Sequence, residues 1–113
     1  MNELVEYSYE IEQLGVHKEL HGRKNVIYEI RAFLVGKVNR VEENTTNTFS
    51  EKVFFVVHIP TDDLHKFIEY EKLTKKDIDD MIDRHTSEQI KEVNKSRLFE
   101  QINPTKVYLK PNF

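Results

Sequence analysis

Apolar and polar residues alternate over the first sixty positions and then change to helical spacing. Val5, Tyr7, Tyr9 and Ile11 alternate with Glu6, Ser8, Glu10 and Glu12. That period of two predicts a strand with one apolar and one acidic face. Leu14 and Val16 carry the apolar set on the other parity, which predicts a bulge or bend near Gln13 to Gly15. Residues 17–25 are polar, include Gly22 and read as a connection. A second strand follows from 26 to about 38. Its even positions Val26, Tyr28, Ile30, Ala32, Leu34 and Val38 form a continuous apolar face. Its odd positions mix Glu29, Arg31 and Lys37 with Ile27, Phe33 and Val35, as expected of a central strand partly covered on both faces. Residues 39–47 read as a polar loop. A third strand, from about 48 to 59, has Phe49, Val53, Phe55, Val57 and Ile59 on one face and Phe54 and Val56 on the other. Three strands joined by short polar segments predict an antiparallel meander.

Pro60 ends the sheet, and Thr61, Asp62 and Asp63 are suited to starting a short helical turn containing Leu64 and Phe67. Thr74 is an N-cap candidate with Asp77 three residues on, flanked by Leu73 and Ile78 at hydrophobic-staple spacing. Thr86 with Gln89 repeats the capping-box spacing. The result is a helix near 75–84, with Ile78, Met81 and Ile82 on one stripe. A second helix lies near 87–102, with Ile90, Val93, Leu98 and Ile102 as its apolar set; the alternative is one long helix kinked at His85 and Thr86. Asn103-Pro104 ends it. In the tail, Val107 and Leu109 alternate with polar residues, so it either adds an edge strand or reaches toward another subunit. The fold class is therefore α+β: a three- to four-stranded antiparallel meander, two C-terminal helices and an extended tail. Residues 1–113 form a single domain, with a sheet half (1–60), a helical half (61–103) and the tail (104–113).

Composition sharpens this. Apolar residues make up 38% of the 113 and charged residues 33%, against usual values of about 45–50% and about 25%. The expectation is a compact domain with a thin core, either marginally stable alone or helped by a neighbouring subunit. Seven Phe and five Tyr argue against disorder. A net charge of −3 argues against a strongly basic nucleic-acid binder. Cys is absent, which removes thiol chemistry and disulfides. The longest apolar run, residues 53–57, is far short of the roughly 20 residues of a spanning helix. The first residues carry acids where a signal peptide carries bases, so no export signal and no membrane association are expected.

Candidate chemistry is sparse. His17 and His21 are four apart, the spacing of two zinc ligands on a helix, but Glu19 is displaced from the protease pattern and the flanks are strand-like. A solvated loop is the simpler reading. His58, His65 and His85 read as surface or capping residues. Asp77, Asp79, Asp80 and Asp83 crowd one helix, where capping and a solvated face opposite Ile78 and Ile82 explain them; Asp62 and Asp63 read as helix-start residues. Three scattered Gly build no phosphate loop, and no Gly-x-Ser-x-Gly elbow is present. No enzyme, metal or cofactor is expected. The oddity is a surplus of aromatics. Phe33, Phe54, Phe99, Tyr108 and Phe113 do not fit one small core, and they are the candidate partner-contact residues. The alternative is that the two helices cover the second face of the sheet.

The order of features also resembles a known group. Tyr7-x-Tyr9-x-Ile11 precedes a loop with Gly, and a strand opens Asn25-Val26-Ile27. Phe67 and Tyr70-Glu71-x-Leu73-Thr74 lead into a helix with Ile78, and Gln101-Ile102-Asn103-Pro104 precedes a tail closing on Pro111 and Phe113. This is similar to a small, functionally uncharacterised family of tailed-phage proteins common in marine phages. That family usually has Trp at the position of Tyr9 and ends Pro-Trp or Pro-Phe, where this chain has Pro111-Asn112-Phe113. It brings no established catalytic residues. The resemblance implies a phage virion structural or assembly protein acting through protein–protein contacts. Its partners would be other phage structural proteins or further copies of itself, as a homo-oligomer. It would be found in the virion, or in the host cytoplasm during assembly. The alternative is a small phage-encoded protein that binds and modulates a host protein, with the acidic helix as its contact face.

Overall fold

The computed structural model describes residues 5–61, 67–103 and 109–113, and of Glu42 the backbone alone. Three antiparallel strands in the order β1-β2-β3 are followed by two helices. The strands are β1 (Val5–Leu20), β2 (Arg23–Glu42) and β3 (Thr45–His58); the helices are α1 (Lys75–His85) and α2 (Glu88–Ile102). The α+β meander expected from the hydropathy pattern is the fold, with three strands among the described residues.

The two polar segments read as loops belong to the strands instead. Each connection is a two-residue turn, His21-Gly22 (φ 50° and 77°) and Glu43-Asn44 (φ 49° and 66°). Positive φ at both turn residues matches the right-handed twist of the flanking strands. The ladders therefore run to the very ends of the hairpins, through residues with no core to bury. β2 has twenty residues, about 66 Å at roughly 3.3 Å each, and the molecule measures 62 × 41 × 22 Å. Its radius of gyration is 18.6 Å, against about 13 Å for a compact chain of this length. The protein is thin but elongated, because its length is set by the long strands and helices cover only one side of the sheet.

The parity slip in β1 is a pair of compensating bulges. Register shifts fall between Ile11 and Gln13 and between Gly15 and Val16. The first adds a residue to β1 and the second adds one to β2, so Leu14 pairs with Ile30 and the original register returns at Val16–Ile27. This keeps Ile11, Leu14 and Val16 against the same core.

That core lies on one side of the sheet. Ile30, Ala32, Leu34 and Val38 of β2 and Val53, Phe55 and Val57 of β3 meet Ile78 and Ile82 of α1 and Leu98 and Ile102 of α2. α2 lies across β3 and β2, and α1 against β3. Arg40 of β2 fastens the far end, donating to the Ile102 carbonyl oxygen (3.4 Å) and to the Asn103 side chain. This places a cation at the negative end of α2.

The helix starts match their local signals with one correction. Thr74 Oγ1 accepts from the Asp77 N–H, and the Asp77 carboxylate accepts from the Thr74 N–H, a complete capping box. α2 is capped by Ser87, whose Oγ accepts from Ile90 N–H, and not by Thr86, which closes α1. A break separates two helices, so there is no kinked single helix. The expected turn around Leu64 lies outside the described residues; a 3-10 turn forms at Tyr70–Lys72.

Candidate functional site

The two faces of the sheet are unequal. On the face opposite the helices, Phe33 and Phe54 are cross-strand partners, their rings 5.5 Å apart and edge to face. Val35 and Val56 stand diagonally beside them. Lys52 lies over the pair, its Nζ 4.3 Å from the Phe33 ring centroid and 3.3 Å from Glu10 Oε2. No described element covers this face, and Phe54 is 41% exposed. The alternative that the helices cover it does not hold, because both lie on the other side. The apolar residues at odd positions of β2 are there because a central strand paired on both edges favours β-branched and aromatic side chains on either face.

The other candidate contacts are dispersed. Phe99 is on the outer side of α2, 48% exposed, and Phe113 is fully exposed in the tail. Tyr108 lies outside the described residues. The tail's described part, residues 109–113, has no regular structure. The structure thus brings together two of the five residues, Phe33 and Phe54.

A second feature was not foreseen. α2 does not bury the set Ile90, Val93, Leu98 and Ile102. Ile90 and Val93 are exposed, and the buried residues are Asn94, Leu98 and Ile102. Helical spacing back from Leu98 reaches Asn94 and Lys91, while Val93 points about 140° away. The inner face of α2 is therefore polar in its first half. It borders a cleft of about 670 Å³ between β1 and the two helices, with Tyr7, Tyr9, Asp83, Asn94 and Lys95 in its walls. The spacing Lys91, Asn94, Lys95, Leu98 was the available signal.

At this cleft the acidic helix is not simply a solvated face. Asp83 flanks the Ile82 stripe, and its Oδ1 accepts the Tyr9 hydroxyl at 2.6 Å. Burial, followed by that bond and the charges of Asp83, Asp79 and Glu88, pushes the Tyr9 phenol well above its usual range. Asp79 pairs with Lys75 at 2.8 Å. Asp77 is held below the usual carboxylate range by its bonds to the Thr74 backbone and hydroxyl.

The histidines do not converge. His17 is on β1, its ring tilted 46° against Tyr28 with centroids 4.9 Å apart, and His21 is in the turn. Among the described residues no three His, Asp or Glu side chains stand together as a metal site. Asp62, Asp63 and His65 lie outside them. No described helix is long and apolar enough to cross a membrane.

Fold and site together define an open-faced antiparallel sheet backed by two helices, with a polar cleft on one side and an aromatic patch on the other. Compared with family models, curated proteins and solved structures, the chain matches none.

Proposed function

We propose that this protein is a structural or assembly component of a phage particle and that it acts through protein–protein contacts. The observation that carries the reading is the Phe33–Phe54 pair on a sheet face with no helix over it among the described residues. Aromatic residues at the centre of a patch with charged residues around it are the usual composition of a contact surface. Glu10, Arg31, Lys37 and Lys52 form that charged surround. The exposed Leu109 and Phe113 of the tail add further apolar contact surface. The resemblance to tailed-phage proteins supplies the context. The host-directed alternative used the acidic helix as its contact face. Asp77, Asp79 and Asp83 are engaged within the chain, which favours the open sheet face instead.

The test is quantitative mass spectrometry of purified intact particles, with sedimentation of the isolated protein. The reading expects a fixed copy number per particle and self-association or capture by a particle protein. A protein absent from particles and monomeric at every concentration overturns it.

A further inference from the structure

α1 and α2 pack on β2 and β3 and reach over β1 through side chains such as Asp83 and Lys95. The cleft between the helices and β1, about 670 Å³, falls within the range of small-ligand sites, roughly 300–1,000 Å³. One wall is the inward face of α2, which normally would be apolar and here carries a carboxamide. Asn94 is only 6% exposed, and its side chain has no hydrogen-bond partner among the described residues. Thr86 Oγ1, on the same wall, is shielded and also without a partner. An unpaired buried polar group costs stability; Thr86 Oγ1 is one, and the unpaired Asn94 carboxamide beside it lines the cleft, so the wall is set to take a polar group from outside.

The other walls indicate its sign. One oxygen of Asp83 accepts from Tyr9; the second has no partner among the described residues. The Tyr9 and Phe55 rings lie 5.8 Å apart at 57°, and Tyr7 lines the mouth. A carboxylate beside aromatic faces favours a cation. The chain's own ammonium groups already rest on the rim. Lys95 Nζ stands 5.3 Å from the Tyr7 ring centroid, and Lys91 Nζ is held by the Asp83 carbonyl (3.1 Å) and by Glu88 (3.3 Å). Lys75 compensates Asp79, and Glu88 offsets the positive end of α2. Asp83 is the acid left over.

We infer that this cleft binds an organic cation, an alkylammonium or guanidinium group, with its charge on Asp83, its stem along the Tyr7 and Tyr9 rings and an N–H on the Asn94 carboxamide oxygen. Such a group arrives on a free diamine or as a Lys or Arg side chain of a partner polypeptide. The cleft is on the opposite side of the sheet from Phe33 and Phe54, so this inference stands or falls apart from the proposed function.

The experiment is an amide NMR titration of the full chain with 1,5-diaminopentane, with a blocked lysine tripeptide and with n-pentanol as the neutral control. Saturable shifts at residues 7–9, 79–86 and Asn94 are expected with both cations and not with pentanol. Asp83→Asn weakens binding about tenfold. Lys95→Met removes the resident ammonium from Tyr7 and tightens binding several-fold, which a purely structural lysine would not do. Tighter binding of the tripeptide assigns the cation to a partner chain; tighter binding of the diamine assigns it to a free amine. Shifts absent with both cations, or equal with pentanol, overturn the inference. So does unchanged affinity in a natively folded Asp83→Asn. If Asp83→Asn does not fold, Lys95→Met decides, and unchanged or weaker affinity there overturns the inference as well.

Discussion

Leu98 of α2 stands directly over Gly36 of β2. A Cβ on Gly36 would lie 2.7 Å from Leu98 Cδ2 and 3.2 Å from both Leu98 Cγ and Val5 Cγ1. Leu98 is fully buried, so it has little room to yield. Overpacking of this kind costs about 1–3 kcal/mol, more than the ~0.4–1 kcal/mol that Ala recovers from the unfolded chain. Gly36→Ala is therefore expected to lower the urea-unfolding free energy by about 1–2 kcal/mol. Leu98→Ala alone costs about 2–5 kcal/mol. The double variant should cost less than the two singles added, since the new methyl occupies the space the leucine vacates. Strict additivity would show that Gly36 does not set the seat of α2.

The Tyr9–Asp83 bond joins β1 to α1 over 74 positions of sequence. Tyr9→Phe is expected to cost roughly 1 kcal/mol at neutral pH, the net worth of one hydrogen bond. The pH dependence has a definite sign. A phenol whose folded-state pKa is raised favours the native state while it is protonated. Its contribution is fully present below the unfolded value of about 10 and is lost as pH rises beyond it toward the folded value. Stability should fall above pH 10 in the wild type and fall less steeply in Tyr9→Phe. Tyrosinate absorbance near 295 nm supplies the direct check. Tyr9→Phe removes the late-titrating component, and Asp83→Asn moves it only part of the way down, because burial is the larger cause.

These two contacts show what the sequence could and could not reveal. Period two along Val5 to Ile11, the slip at Leu14 and the Thr74–Asp77 box are local signals, and each maps onto a structural feature. The strand ends were misread because residues 17–25 and 39–47 are polar. Polarity reports the absence of a core, and a ladder between two-residue turns needs none. The polar start of α2's inner face was missed for a related reason. Ile90 and Val93 are the apolar residues nearby, but Leu98 and Ile102 determine which face turns inward. The Tyr9–Asp83 bond depends on where α1 lies over the sheet, and no short-range pattern encodes that.

The second turn offers a test of the extended ladder. Glu43 and Asn44 both hold positive φ, a region that costs an ordinary L-residue about 1–2 kcal/mol. Asn-Gly is the preferred pair for such a turn. The double change Glu43→Asn with Asn44→Gly should stabilise the hairpin end by about 1 kcal/mol. The effect should be local, because residues 45–52 of β3 are exposed and none belongs to the buried core. Amide exchange near Arg40 and Asn47 should slow several-fold, while the global unfolding midpoint hardly moves. Unchanged protection would mean that the distal ladder is not the seat of the opening.

The exposed aromatic pair separates stability from association. Phe54→Thr keeps a strand-favouring residue on β3 and removes only the ring that edges Phe33. An aromatic pair of this kind contributes about 0.5–1.5 kcal/mol, so the monomer should remain folded with a loss of about 1 kcal/mol. If the open face is the contact surface, a central aromatic is worth more to a partner than to the monomer, because its burial is completed only on binding. Phe54→Thr and Phe54→Glu should then both weaken association at least tenfold in sedimentation, with Glu stronger. Val93→Glu introduces the same charge on α2, well away from the pair, and should leave association unchanged. Equal losses from Phe54→Glu and Val93→Glu would point to a general effect of added charge and remove the case for the sheet face.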